Sequence, residues 1–373
     1  MKRILVTGAG GPAGWNFVKS VKMAPERIYI AVTDINLWHL EYLEDLANSF
    51  YVVPRCTDPE YIGVLNDIIE YEDIEFVHPQ PDIEVRVLSE NREKLNAMTF
   101  LPSKEAIRIL QDKYLSARRW EEKGIPVART IEIKDNHLED DIKRAFDEFG
   151  SPIWIRAKSG AGGRGSTPAH DVETAVYWIK YWRSRGVDWE FIAQEYLPGR
   201  NIAFMSVWKD GELVVSQARE RLEYIYPYLA PSGITGTPAV ARTIHDDKVN
   251  EIATEAVLAI DPNANGVFSV DLKEDKSGTP TPTEINAGRF FTTSYYFTYA
   301  GLRFGVWYAN MPYVYIKLAY RESIPRDIPK YNILPEGIYW IRHIDTGYHL
   351  VKEGEWLGKN VKEIVKKRNK NRN

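Results

Sequence analysis

Over the first hundred residues, short apolar runs alternate with segments of helical period. Ile4–Thr7, Ile28–Thr33 and Ile74–His78 read as buried strands, and Ala13–Val21, Leu37–Ala47 and Ile83–Leu95 as helices. This alternation predicts an open parallel sheet covered on both faces, a Rossmann-like half. Residues 103–123 predict a helical pair, stopped by Gly124-Ile125-Pro126. From about residue 127 the pattern changes to longer strands, glycine loops and hairpins, with helices near 171–185 and 246–260. The change predicts a domain boundary. Aromatic residues crowd positions 290–315 and predict core or interface, since aromatics dominate buried area. The end, KNVKEIVKKRNKNRN, reads as a basic, frayed tail.

Composition narrows the class without naming a chemistry. The 373 residues are 44% hydrophobic and 27% charged, as expected of a soluble globular protein of two or three domains. A net charge of -4 offers no electrostatic case for nucleic acid or an anionic membrane. No run approaches the roughly 20 apolar residues of a spanning helix. Cys56 is the single cysteine, which rules out an intramolecular disulfide and disfavours a thiolate metal site. MKRILVTGAGG enters a strand and a glycine turn directly, so a cytoplasmic location is expected.

Several segments carry candidate chemistry. Gly8 to Gly14 follows a strand and opens a helix, and Asp34 ends the next strand. That context suits a dinucleotide fingerprint, with an NAD(P)-dependent oxidoreductase or epimerase as the function, and suits tight strand-to-helix packing equally. Pro152 to Lys158 is a strand ending in Arg156 and Lys158, followed by the loop Ser159 to Gly165, whose Gly160, Gly162 and Gly163 would let backbone amides close over phosphate. It lacks the Gly-Lys-Ser/Thr ending of a P-loop. Phe191 to Gly199 is an apolar strand breaking into a linker whose backbone could pair with an adenine edge. In Asp271 to Asn286, two strands around Lys276-Ser277-Gly278 would put Asp271, Glu284 and Asn286 on one face, as a magnesium site or a solvated hairpin.

The order of these parts resembles the ATP-grasp superfamily, especially its carbamoyl-phosphate-synthetase-like branch. The matching parts are Asp112-Lys113 with Gly124-Ile125-Pro126, the Arg156 strand and its glycine loop, the hinge Gln194-Glu195-Tyr196-Leu197, and Asp271 with Glu284-Ile285-Asn286. Pro81-Asp82-Ile83-Glu84 and Leu101-Pro102-Ser103 also match, so the likeness covers roughly residues 1–310. It implies an α/β fold, α+β in the grasp part: a Rossmann-like pre-ATP-grasp domain (1–102), an ATP-grasp domain (103–320, with a lid at about 127–195 and a metal-bearing part at about 196–320), and a C-terminal extension (321–373).

The resemblance implies ATP and one or two Mg2+ ions, with Mn2+ as a substitute. Lys113, Arg156, Lys158, Ser159, Gly160, Gly162 and Gly163 would meet phosphates; Gln194, Glu195, Leu197 and Asn201 would hold adenine and ribose. Asp271, Glu284 and Asn286 would hold metal, and Arg289 and Arg219, with Arg221, would face a carboxylate or acyl phosphate. The implied activity is ligation of a small-molecule carboxylate and amine, with no nucleic acid or membrane partner and a homodimer left open. Three departures stand out. Asn201 replaces the usual ribose-binding glutamate, Ser232-Gly233-Ile234-Thr235-Gly236 lacks the synthetase loop's histidine, and Asn286-Ala287-Gly288-Arg289 delays the arginine by one residue. They keep a non-catalytic ATP-binding protein open as an alternative.

Overall fold

The computed structural model describes residues 1–353 except positions 42, 161, 162, 164, 345 and 346. The basic tail expected at 359–373 lies outside the described residues. Strands β1 (Lys2–Thr7), β2 (Ile28–Asp34), β3 (Ser49–Val52) and β4 (Phe76–Pro79) form a parallel sheet in the order β3-β2-β1-β4. Their short apolar runs, such as Ile4, Leu5 and Val6, are fully buried, as two-sided covering requires. The expected long helix from Leu37 to Ala47 is corrected to a short helix, Leu37–Glu41, followed by turns. Leu40, Leu43 and Ala47 there reach the core, while Leu37 and Trp38 at the start of the stretch stay exposed, so its first turn has no apolar anchor for a longer amphipathic helix.

β5 (Thr130–Ile133), β6 (Ile153–Ala157), β7 (Thr167–Ala169) and β8 (Phe191–Glu195) form a small antiparallel sheet in the order β5-β8-β6-β7. Helices Leu138–Phe149 and Val172–Ser184 share its core through Ile142, Ala145, Val176 and Ile179. The third sheet holds β9 (Asn201–Lys209), β10 (Glu212–Tyr224), β11 (Pro238–Ile244), β12 (Gly266–Glu274), β13 (Pro280–Ala287), β14 (Ile338–His343) and β15 (Gly347–Lys352), ordered β13-β12-β9-β10-β11-β14-β15. The 290–315 aromatics are mostly core, and Phe290 and Tyr315 join Phe17 and Phe76 in one cluster linking the parallel sheet to the large one.

The N-terminal glycine turn is shaped by packing. A Cβ on Gly14 would lie 2.5 Å from the Ala9 carbonyl, so only glycine lets helix Pro12–Lys22 sit this close to β1. Beneath the turn, burial with the nearby Asp34 charge raises the Glu84 carboxyl to about 7. Because the folded value exceeds the ordinary one of 4.5, the stability it contributes is complete below pH 4.5 and lost as pH rises through 7. Glu84→Gln is therefore expected to remove a loss of up to about 3 kcal/mol between pH 5 and 8. Urea unfolding at the two pH values checks this; an unchanged slope would contradict it.

Candidate active site

One cavity of about 870 Å³ is lined by strands of the two antiparallel sheets and by the segments that follow β1 and β4 of the parallel sheet. Asp112 does not lie inside a helix, as its sequence context suggested, but caps one: its side chain accepts from the amides of Tyr114 and Leu115 at 2.9 and 3.0 Å. That cap places Lys113 at the first helical position, buried at the cavity wall. Its Nζ donates to the Gly160 carbonyl at 2.8 Å and stands 3.7 Å from Glu284. Burial lowers the Lys113 pKa against the opposing pull of Glu284.

On β6, alternation turns Ile153, Ile155 and Ala157 into the small sheet's core and Trp154 and Arg156 toward the cavity. Arg156 donates to Glu284 at 2.6 Å. Ser159, Gly160 and Gly163 line the cavity, and Gly162 lies outside the described residues. Lys158 is not among the lining residues. Glu132, Glu190 and Asp112 draw its Nζ away at 2.8, 3.3 and 3.5 Å, and they raise its pKa even though burial works in the opposite direction.

The hinge residues Gln194, Glu195, Tyr196 and Leu197 line the same cavity. Gln194 donates to Thr130 at 2.9 Å, and Glu195 pairs with Arg129 at 2.9 Å, so both side chains already have partners on β5 and just before it. Asn201 donates to the Tyr224 hydroxyl at 2.8 Å and accepts from Arg221 at 3.1 Å. Tyr224 had no sequence signal, because it meets Asn201 only through the β9–β10 pairing.

Asp271 and Glu284 are directly paired across β12 and β13, and Asn286, two residues on, donates to Asp271 at 3.3 Å. The shared face expected from sequence is present. Arg221 ion-pairs with Asp271 and is held protonated, its pKa raised by that carboxylate against the cost of burial. Burial raises the Asp271 pKa and Arg221 opposes it, whereas Glu284 is pulled down to about 2 because Lys113, Arg156 and Arg289 outweigh its burial. Two carboxylates and an amide oxygen are the hard donors magnesium prefers, so the set fits that ion. No group of three or more His, Cys, Asp or Glu suited to a metal occurs among the described residues, so phosphate oxygens and water would have to complete a coordination shell.

The delayed arginine returns to this face. Gly288 adopts φ +79°, and a Cβ there would lie 2.9 Å from Val85 and 3.2 Å from Leu101. The left-handed turn absorbs the extra residue, and Arg289 reaches Asn286 and the Asp82 carboxylate, the latter at 3.0 Å. Sequence spacing could not reveal that pairing, since Asp82 lies far away in the chain. Arg219 is fully buried at the cavity wall, with Thr293 as its hydrogen-bond acceptor and the rings of Phe291 and Trp340 at 4.9 and 5.2 Å. No ion pair is recorded for it among the described residues. Burial, helped by neighbouring Arg221, lowers its pKa well below the usual value.

The dinucleotide alternative meets a direct obstacle. The Asp34 carboxylate accepts from the Gly10 amide at 3.1 Å and the Asn36 amide at 2.9 Å, so it braces the turn itself and is not a cavity-lining residue. Gly8, Gly11, Ala13 and Gly14 nonetheless line the same cavity as Asp271 and Glu284.

Comparison with known proteins agrees with this geometry. Residues 4–100 match the PylC-like N-terminal domain family. The carbamoyl phosphate synthase large chain of Thermoanaerobacter pseudethanolicus is 24% identical over 196 residues, 49% of this chain but 17% of that one. The N5-carboxyaminoimidazole synthetase of Staphylococcus aureus, solved with ADP, superposes with a TM-score of 0.68 at 18% identity, covering 91% of this chain and 82% of that one. An L-amino acid ligase from Bacillus licheniformis gives 0.66 at 12% identity, covering 91% and 79%. The chain has the ATP-grasp fold, in agreement with the resemblance read from its sequence. No helix among the described residues is long and apolar enough to cross a membrane.

Proposed function

We propose that the chain is an ATP- and magnesium-dependent ligase that activates a carboxylate as an acyl phosphate and passes the acyl group to an amine. The observation that supports this most is convergence: Lys113, Arg156, the hinge, Asp271, Glu284, Asn286 and Arg289 come from distant segments and line one cavity. In this reading adenine lies along Gln194 to Leu197, read by the Glu195 carbonyl and Leu197 amide. Asn201 borders the ribose, and the phosphates point toward Lys113, Arg156, Ser159 and the loop glycines. Lys158 acts indirectly, fixing the base of that loop through its acidic partners.

Magnesium, when bound at Asp271, Glu284 and Asn286, would offset charge on the transferring phosphoryl group. A carboxylate oxygen attacks the γ-phosphorus and ADP leaves. The amine nitrogen then attacks the acyl carbon, phosphate departs with that oxygen, and the amine gives up a proton. Arg289 would hold the reacting carboxylate, and Arg219, a buried guanidinium with no recorded ion pair, suits its anionic neighbour. Residues 1–102 would supply the pre-ATP-grasp domain, 103–320 the grasp unit and 321–373 an extension. The partners would be small molecules, with no nucleic acid or membrane.

The test is ADP formation with magnesium across a panel of carboxylates and amines. Turnover requiring one of each supports the reading. Hydrolysis indifferent to both, or none with any pair, would count against it.

A further inference from the structure

Strand β12 carries a cation that none of the roles above uses. Leu272 packs into the core, so by the two-residue period its neighbours Asp271 and Lys273 share the opposite face, and both line the cavity. The Lys273 Nζ stands 5.2 Å from the centre of the Tyr196 ring, on the hinge. No hydrogen bond or ion pair is recorded for that ammonium among the described residues, and it is not sealed off in the interior. The other cations lining the cavity, Arg86, Lys113, Arg156, Arg219, Arg221 and Arg289, each hold a carboxylate or another hydrogen-bond acceptor. Burial lowers the Lys273 pKa. A half-buried ammonium without an acceptor is costly, and a ligand oxygen would remove the cost.

Place along the cavity decides which ligand oxygen that is. Two residues of a strand span roughly 7 Å, so Lys273 lies about one pleat from Asp271, and its other neighbour is Tyr196 of the hinge. In the ligase reading the phosphates lie at Asp271 and Glu284 and adenine lies along Gln194 to Leu197, which leaves the sugar at the level of Lys273. Asn201 sits directly opposite Lys273 in the β9–β12 pairing. Both ends of its amide are engaged, Nδ2 with the Tyr224 hydroxyl at 2.8 Å and Oδ1 with Arg221 at 3.1 Å. Across this pair, Lys273 holds the uncommitted donor. A ribose presents hydroxyl oxygens there, and a hydrogen bond from a charged donor is stronger than one between neutral groups.

We propose that Lys273 reads the sugar of the nucleotide, its ammonium donating to a ribose hydroxyl oxygen, and that this contact makes the site selective for a ribonucleotide over its deoxy counterpart. The proposal rests on the nucleotide placement of the ligase reading and adds to it a specificity-determining residue.

The test is a calorimetric titration of the full chain with ATP, 2′-deoxy-ATP and 3′-deoxy-ATP, each with magnesium. Wild type should bind at least one deoxy analogue at least about tenfold more weakly than ATP, the scale of a hydrogen bond to a charged group. Lys273→Met keeps the apolar stem and removes the charge. It should bind ATP about tenfold more weakly and distinguish ATP from that same analogue by no more than about twofold, with a thermal melt reporting whether it is folded. Wild type that binds all three nucleotides alike overturns the proposal without any variant. A folded Lys273→Met with wild-type ATP affinity also overturns it. So does a variant that binds ATP weakly yet keeps the full deoxy penalty, because the ammonium then meets the base or a phosphate. Each of these outcomes leaves ATP binding, and with it the ligase reading, standing; no ATP binding by wild type would sink both.

Discussion

Glu284→Gln is expected to cut magnesium-dependent ADP formation by roughly 10²–10³, the scale seen when one preorganised charge partner of a transferring group is removed. Glu284 accepts from Arg156 at 2.6 Å and lies 3.7 Å from Lys113, so one carboxylate neutralises two phosphate-directed cations while offering an oxygen to a metal. Glutamine keeps the shape and a hydrogen-bond acceptor but loses the charge. The two buried cations would then lack their anion, and a lower Tm should accompany the loss of activity. A higher magnesium requirement separates the metal role from simple destabilisation. Unchanged activity at every magnesium concentration would remove Glu284 from the site.

Arg289→Ala should be as severe and different in kind. In the proposed reaction this guanidinium meets the carboxylate and the developing acyl phosphate, while adenine and the outer phosphates lie toward the hinge and the glycine loop. ATP affinity should therefore stay within about threefold of wild type, while carboxylate-dependent turnover falls by roughly 10²–10³. Arg289→Lys should recover little, because an ammonium cannot reproduce the two-pronged contact with Asp82 or, by analogy, a substrate carboxylate. Equal losses of ATP affinity and turnover would place Arg289 with the nucleotide instead.

The strand and helix order was legible because apolar periodicity reports burial directly, and the Asp271–Glu284–Asn286 face followed from the two-residue period of a strand. Legibility stopped where side chains meet across distant segments. Lys158 reads as a phosphate ligand by its place after β6, yet Glu132 on β5 and Glu190 just before β8 redirect it. Asp34 reads as a ribose ligand by its spacing, yet the Gly10 amide claims it. The delayed Arg289 looked like a defect in linear order, and only the left-handed backbone at Gly288 shows how the side chain regains the site.

The claim at the centre of this account is that a carboxylate oxygen becomes bonded to phosphorus during turnover. Running the reaction with the active carboxylate labelled with oxygen-18 and weighing the released phosphate by mass spectrometry tests it most directly. The account predicts one label in each phosphate released alongside ADP; unlabelled phosphate, or AMP and pyrophosphate in place of ADP and phosphate, would contradict it.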